Sequence, residues 1–222
     1  MYSQIGIIRV VTTSDDHVLY AHEKIIKSFL PSLNMVTQSI PDQLHGIYDS
    51  ASEEVAIPKI IKLALEMELA GMDGIIISCC TDPALDLVRE KVKIPVVGAG
   101  QAACLMAKAI STKVGVTSLT DQIPENLKNQ LGNCLVAYQK VQGISNTLDL
   151  LNKSGKESVI QSANFLISQG AQCILLGCTG MATIGIANFI EQDLNIPVVD
   201  PIVASGSLIN YLVNRNKWQV RA

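Results

Sequence analysis

The chain has 222 residues, 48% of them apolar and 17% charged, with a net charge of −3 at neutral pH. That composition supplies sizeable cores and leaves no basic surface, which excludes nucleic acid and anionic lipid as expected partners. The length suits one domain or two halves of about 110 residues.

The first element is strand-like Ile5-Gly-Ile-Ile, and no basic region leads into an apolar signal core, so a cytoplasmic location is expected. Apolar β-rich runs bounded by Gly or Pro predict strands at 4–11, 34–40, 74–79, 95–98, 113–118, 134–139, 173–177 and 197–200. Amphipathic stretches between them predict helices near 16–30, 53–70, 83–92, 101–111, 124–131, 155–169, 182–193 and 202–215. Such alternation, with runs too apolar to face water, implies an α/β fold of parallel sheets covered on both sides. Asp82-Pro83 reads as an N-cap and first turn for the helix at 83–92, which would place Cys79 just before a helix N-terminus. Ser158 to Ile190 carries no charge, yet Gln161, Asn164, Ser168, Gln169, Gln172 and several glycines interrupt it. No run there reaches the ~18 apolar residues of a membrane span, so no membrane partner is expected.

One segment occurs twice. Gly71-Met-Asp-Gly-Ile-Ile-Ile-Ser-Cys79-Cys80-Thr81 aligns without a gap on Gly170-Ala-Gln-Cys-Ile-Leu-Leu-Gly-Cys178-Thr179-Gly180, the glycines and the cysteines both being 99 residues apart. Each copy continues into a matching strand, Ile94-Pro-Val-Val and Ile196-Pro-Val-Val. The first strands also match, Ile5-Gly-Ile beside Val114-Gly-Val, each followed by a hydroxyl-rich loop. The expected architecture is therefore two similar αβα halves related by a pseudo-twofold duplication. Ligands of parallel sheets bind outside the carboxyl ends of the strands, which puts an active site in the cleft between the halves.

Paired thiols in such a cleft suit proton transfer at a carbon next to a carbonyl, one thiolate acting as base on one face and one thiol as acid on the other. A helix N-terminus lowers a thiol's pKa, and its N–H groups stabilise an enolate. The six cysteines form no metal-like array, and no phosphate loop, Gly-x-Gly-x-x-Gly or strand-end lysine is present, so neither metal nor cofactor is expected. His17, His22 and His45 are all N-terminal, none near a cysteine in sequence. Cys104, Cys134 and Cys173 read as small buried hydrophobes.

Ser78-Cys79-Cys80-Thr81-Asp82-Pro83, Ile94-Pro-Val-Val-Gly98 and Leu176-Gly-Cys178-Thr179-Gly180-Met181 resemble the signature segments of the cofactor-independent aspartate/glutamate/hydantoin racemase superfamily, closest to its hydantoin racemase branch. The resemblance implies Cys79 and Cys178 as the proton-transfer pair. It also implies that the last helix returns to the first half, dividing the chain into 1–98 plus 203–222 and 99–202. The expected function is racemisation or epimerisation of a 5-substituted hydantoin or an allantoin-like cyclic ureide, by a homo-oligomer acting on a small molecule. Expected substrate-binding residues are Arg9, Cys80, Thr81, Ser118, Thr179, Gly180 and Met181. Arg9 has a salt bridge with the nearby acidic loop as its simpler role, and the threonines and Ser118 have helix capping. Cys80 is read as lining the pocket rather than as chemistry. Glutamate racemases carry Asp-Ser and His where this chain has about Arg9-Val10 and Gly180, which argues against recognition of an ammonium group. Racemisation of aspartate or glutamate is the alternative, with Asp15, Asp49 or Asp121 supplying the missing carboxylate. Superfamily decarboxylases commonly lack one of the paired cysteines. A non-catalytic binding or redox-sensing protein, with Cys79 and Cys80 oxidised together, is the reading from another class.

Overall fold

A computed structural model describes residues 3–152 and 154–215, so the tail at 216–222, placed above with the first half, lies outside the described residues. The chain runs β1 (Gln4–Arg9), α1 (Asp16–Leu19), α2 (Ala21–Phe29), β2 (Asn34–Ser39), α3 (Ser50–Leu69), β3 (Gly74–Ser78), α4 (Leu85–Arg89), β4 (Val96–Gly98) and α5 (Ala99–Ile110). It continues with β5 (Val114–Ser118), α6 (Glu125–Leu131), β6 (Leu135–Lys140), α7 (Gly155–Ser168), β7 (Cys173–Leu176), α8 (Thr179–Thr183), α9 (Ile186–Leu194), β8 (Val198–Val199) and α10 (Pro201–Asn214). Short 3₁₀ turns at Gly132–Cys134 and Thr147–Leu151 had no counterpart in the sequence pattern.

The strands form two parallel sheets of identical topology, β2-β1-β3-β4 and β6-β5-β7-β8. This is the α/β fold of duplicated halves that the repeat implies. Strand alternation divides the core into three. Ile5, Ile7, Ile76, Val114, Val116 and Leu175 point inward and share one core with α5 and α10, while Ile8, Ile75 and Ile77 face a separate core under α3 and α4. Ile174 and Leu176 face a third, under α7 and α9. Runs buried on both faces are apolar at every position, which is why they were legible as strands. Cys104 and Cys173 are buried in the central core, and Cys134 packs against it.

Helix α10 lies against α5, β3, β4 and α2. A Cβ at Gly74 on β3 would come within 2.9 Å of Ile209 and Val213 on this helix, so glycine there sets how closely helix and sheet approach.

Three helices depart from expectation. The stretch 16–30 breaks at Tyr20 into α1 and α2, and 182–193 breaks at Gly185, whose φ of +63° ends α8 and starts α9. The helix expected at 83–92 shrinks to the five residues of α4, because Asp82 and Ala84 adopt left-handed φ values of +52° and +58°. Asp82 caps a different helix, accepting from Gly100 N at 2.8 Å and Gln101 N at 2.7 Å at the start of α5.

Candidate active site

Each cysteine leaves the carboxyl end of a strand with neighbours on both sides, Cys79 after β3 and Cys178 after β7. The two sheet edges meet there directly. Thr179 Oγ1 donates to Ser78 O at 3.2 Å, Cys80 Sγ to Leu176 O at 3.6 Å, and Asn126 Nδ2 to Cys80 O at 2.8 Å. Asp82 carries the same seam further by accepting from Asn126 Nδ2 at 3.1 Å. Gly100 is packed against the Cys80 carbonyl so closely that a Cβ would overlap it.

Between the edges lies a cavity of about 50 Å³ whose lining includes Arg9, Cys79, Cys80, Thr81, Ser118, Cys178 and Thr179. Two loops overhang it, one from each half, at Gly46–Tyr48 and Asn146–Thr147. They are copies of one device. Gly46 and Gly143 both have positive φ, at +72° and +75°, and three residues later Asp49 and Asn146 each open a capping box. Both pairs are 97 residues apart (46 to 143, 49 to 146), so the duplication extends to the rim of the cavity.

Gly180 and Met181 are not among the lining residues. A Cβ at Gly180 would collide with Thr147 Cγ2 and stand 3.5 Å from Cys178 Sγ, so the glycine lets Thr147 pack close beside that thiol. Met181, expected to contact substrate, is fully buried in the outer core of the second sheet. What both contribute is a backbone N–H directed at the Cys178 thiol. Ser118 donates its hydroxyl to Gly177 O at 3.0 Å, as Thr179 does to Ser78, so neither caps a helix with its side chain. Both residues line the cavity.

Arg9 ends β1, is 2% exposed, and its Nη1 has no hydrogen-bond partner. The expected salt bridge does not form: Asp15 and Asp16 are exposed, Asp15 caps α1 through His17 N, and no ion pair among the described residues includes Arg9. Burial lowers its pKa to about 10, opposed by attraction to Cys178 and Cys79, so the guanidinium stays charged at neutral pH. Among the described residues, no carboxylate lines the cavity. Asp49 and Asp121 are exposed, Asp49 capping α3 and Asp121 pairing with Lys140 at 2.6 Å. Half-buried Glu53 stands behind Thr81, its carboxyl raised by burial against a hydrogen bond from that residue.

The two thiols differ in surroundings. Burial raises Cys79 to about 12; Thr81, whose Oγ1 is 3.4 Å away, opposes this, and Cys178 and Asp82 add to it. Cys178 is also raised by burial, but the N–H groups of Gly180 and Met181, the Thr147 hydroxyl at 3.9 Å and the Arg9 charge all act the other way. Cys79 has no helix start beside it, since α4 begins six residues later. Buried Cys80 is pushed well above the ordinary thiol range, chiefly by desolvation.

Sequence reasoning missed His22. It is fully buried, with Nδ1 2.6 Å from Ser78 Oγ and Nε2 3.0 Å from both Thr179 O and Thr183 Oγ1. The available signal was its spacing: His22 falls four residues after Val18 and four before Ile26 on the buried side of the amphipathic stretch. Among the described residues, no group of three or more His, Cys, Asp or Glu is placed to hold a metal ion, and no helix is long and apolar enough to cross a membrane.

Comparison with known proteins finds the family model for Asp/Glu/hydantoin racemases matching residues 10–207. A hydantoin racemase of Pseudomonas sp. (strain NS671) is 27% identical over 191 residues, covering 80% of this chain and 72% of that protein. An allantoin racemase structure from Klebsiella pneumoniae superposes with a TM-score of 0.86 at 23% identity, over 96% of this chain and 89% of the other. A glutamate racemase structure from Bacillus anthracis gives a TM-score of 0.75 at 16% identity, over 98% and 83% of the two chains.

Proposed function

The chain belongs to the Asp/Glu/hydantoin racemase family and is an isomerase of the racemase class, and from that premise we propose a two-thiol racemisation of a cyclic ureide. The substrate class is a 5-substituted hydantoin or an allantoin-like ring. The observation that carries this reading is a cavity holding Cys79, Cys178 and a buried arginine whose Nη1 has no hydrogen-bond partner, with no carboxylate among the described residues that line it.

Cys178, with two N–H groups, a hydroxyl and the Arg9 charge opposing the effect of burial, is the thiol with more support for ionisation and acts as the base once deprotonated, with Cys79 as the acid. Cys178 takes the proton from the acidic ring carbon, and the C–H electron pair moves onto the adjacent carbonyl oxygen to give an enolate. Arg9 holds that oxygen through Nη1, supplying charge in a site shielded from water. Cys79 then returns a proton to the opposite face, leaving Cys79 as thiolate and Cys178 as thiol. The reverse direction starts from that state, or solvent exchange resets it. Thr81 carries the Cys79 proton's hydrogen bond, and Cys80 shapes the wall. The scheme calls for no cofactor.

An α-amino acid would bring an ammonium group into a lining of one cation and no anion, which weighs against the amino-acid racemase reading. The packing of α10 on β3 and β4 supports dividing the chain into 1–98 plus 203–222 and 99–202. Six free cysteines suit a reducing compartment such as the cytoplasm, and exposed Leu105, Met106 and Ile110 on α5 suit a homo-oligomer. Polarimetry with single enantiomers of hydantoins, allantoin and acidic amino acids tests the reading. Loss of rotation with the ureides alone is expected, unaffected by prior dialysis against a chelator or by hydroxylamine; turnover confined to the amino acids would overturn it.

A further inference from the structure

His22 reaches the site from α2, over 50 residues upstream of either cysteine motif, and its two ring nitrogens meet the two halves separately. A carbonyl only accepts, so Nε2 must carry the hydrogen that goes to Thr179 O, a proton shared with Thr183 Oγ1. Nδ1 is then the acceptor, and the Ser78 hydroxyl donates to it. Thr179 completes a cycle by donating its own hydroxyl to Ser78 O. Ser78 immediately precedes Cys79 and Thr179 immediately follows Cys178. Full burial and the nearby Arg9 charge both hold the imidazole neutral, the form that this donor and acceptor assignment requires.

We propose that His22 is a positioning residue: a rigid neutral imidazole that ties the residue before one cysteine to the residue after the other, and so holds the two thiols across one carbon. The inference rests on the two-thiol reading above. A rigid ring with one donor and one acceptor on separated atoms sets a spacing, whereas a residue serving only to fill the space under α2 would have no need of either polar atom. Misplacing one reacting group by about 1 Å costs as much as 100-fold in rate, so a clamp at this point acts on inversion more than on binding.

The test uses His22→Leu, which keeps bulk and removes both hydrogen bonds. In heavy water, the expected result is a fall in inversion of about 50-fold with KM unchanged, while α-hydrogen exchange without inversion falls less than threefold, because each thiol still works its own face. Inversion and exchange falling in step, or neither falling, would overturn the clamp. Should His22→Leu fail to fold, Ser78→Ala removes the Nδ1 partner and must raise the same exchange-to-inversion ratio. In the unaltered protein, nitrogen NMR must find the ring neutral and protonated at Nε2 from pH 5.5 to 8; a charged or Nδ1-protonated ring refutes the assignment. A readout free of substrate separates this idea from the functional reading. A short bis-methanethiosulfonate should bridge Cys79 to Cys178 at least fivefold faster in the parent than in His22→Leu, even if no ureide turns over, and equal bridging would count against the clamp.

Discussion

The turns after β3 and β7 occupy one address in a duplicated unit, yet they present their thiols to different fields. The second turn runs straight into α8, so the N–H groups of Gly180 and Met181 converge on Cys178. The first spends its residues otherwise: Asp82 swings away in a left-handed conformation to cap α5, and Cys79 is left with Thr81 and a buried carboxyl nearby. Duplication thus copied the position of a sulfur and not its acidity. In the proposed two-base reaction this asymmetry favours Cys178 over Cys79 as the thiol that ionises first.

Removing either sulfur breaks the comparison most severely. Cys79→Ser and Cys178→Ser should each lower racemisation in both directions by about 10³-fold or more, as a hydroxyl is far too weak an acid to replace a thiolate. In heavy water each variant should still exchange the α-hydrogen of one enantiomer, and the two variants should exchange opposite ones. Both acting on the same enantiomer would end the two-face assignment.

Arg9 is next in size. Arg9→Met should reduce kcat/KM by about 100-fold through loss of the charge facing the enolate, and Arg9→Lys by about tenfold, since an ammonium lacks the planar fork. Thermal unfolding should show Arg9→Met to be no less stable than the parent, because an unpaired buried charge is removed. A large fall in Tm with unchanged kcat would make Arg9 structural.

The difference between the turns is read most directly by alkylation. Iodoacetamide should modify Cys178 at least tenfold faster than Cys79, as mass spectrometry of peptides would show. Both thiols have raised pKa values, so each thiolate fraction grows with pH: below its pKa, the rate at each site should climb about tenfold per pH unit. Equal rates would mean that the N–H groups at Cys178 confer nothing.

The smallest effect is expected at Gly180→Ala, where the new Cβ displaces Thr147 and, through it, the second overhanging loop. A fall in kcat/KM of about fivefold is expected, with Gly180→His worse. Unchanged kinetics would free that loop from any part in catalysis.

The central strands and their parallel sheets were legible because strands buried on both faces must be apolar throughout, as in Gly74–Ser78 and Cys173–Leu176. The paired cysteines were legible because the repeat is gapless. Arg9's surroundings were not: proximity in sequence to Asp15 and Asp16 suggested a salt bridge, but those carboxylates face solvent while Arg9 turns inward between two sheets. Asp82 looked like the cap of the next helix, since local spacing cannot reveal that α5, 17 residues on, offers its N–H groups instead. His22 was hidden for the same reason, as its partners lie 56 and 157 residues away and only the fold brings them to it.

Helix α10 also bears on how the chain is made. The first sheet is complete in sequence once β4 has been synthesised, but Ile202, Ala204 and Ile209, which help cover its inner face, belong to a helix about 100 residues later. At about 5–20 residues per second, a ribosome takes roughly 5–20 s to deliver that cover. Through that interval the nascent first half carries an apolar face that α5 shields only in part, a stretch of time in which a chaperone, or a wrong neighbour, has access to it.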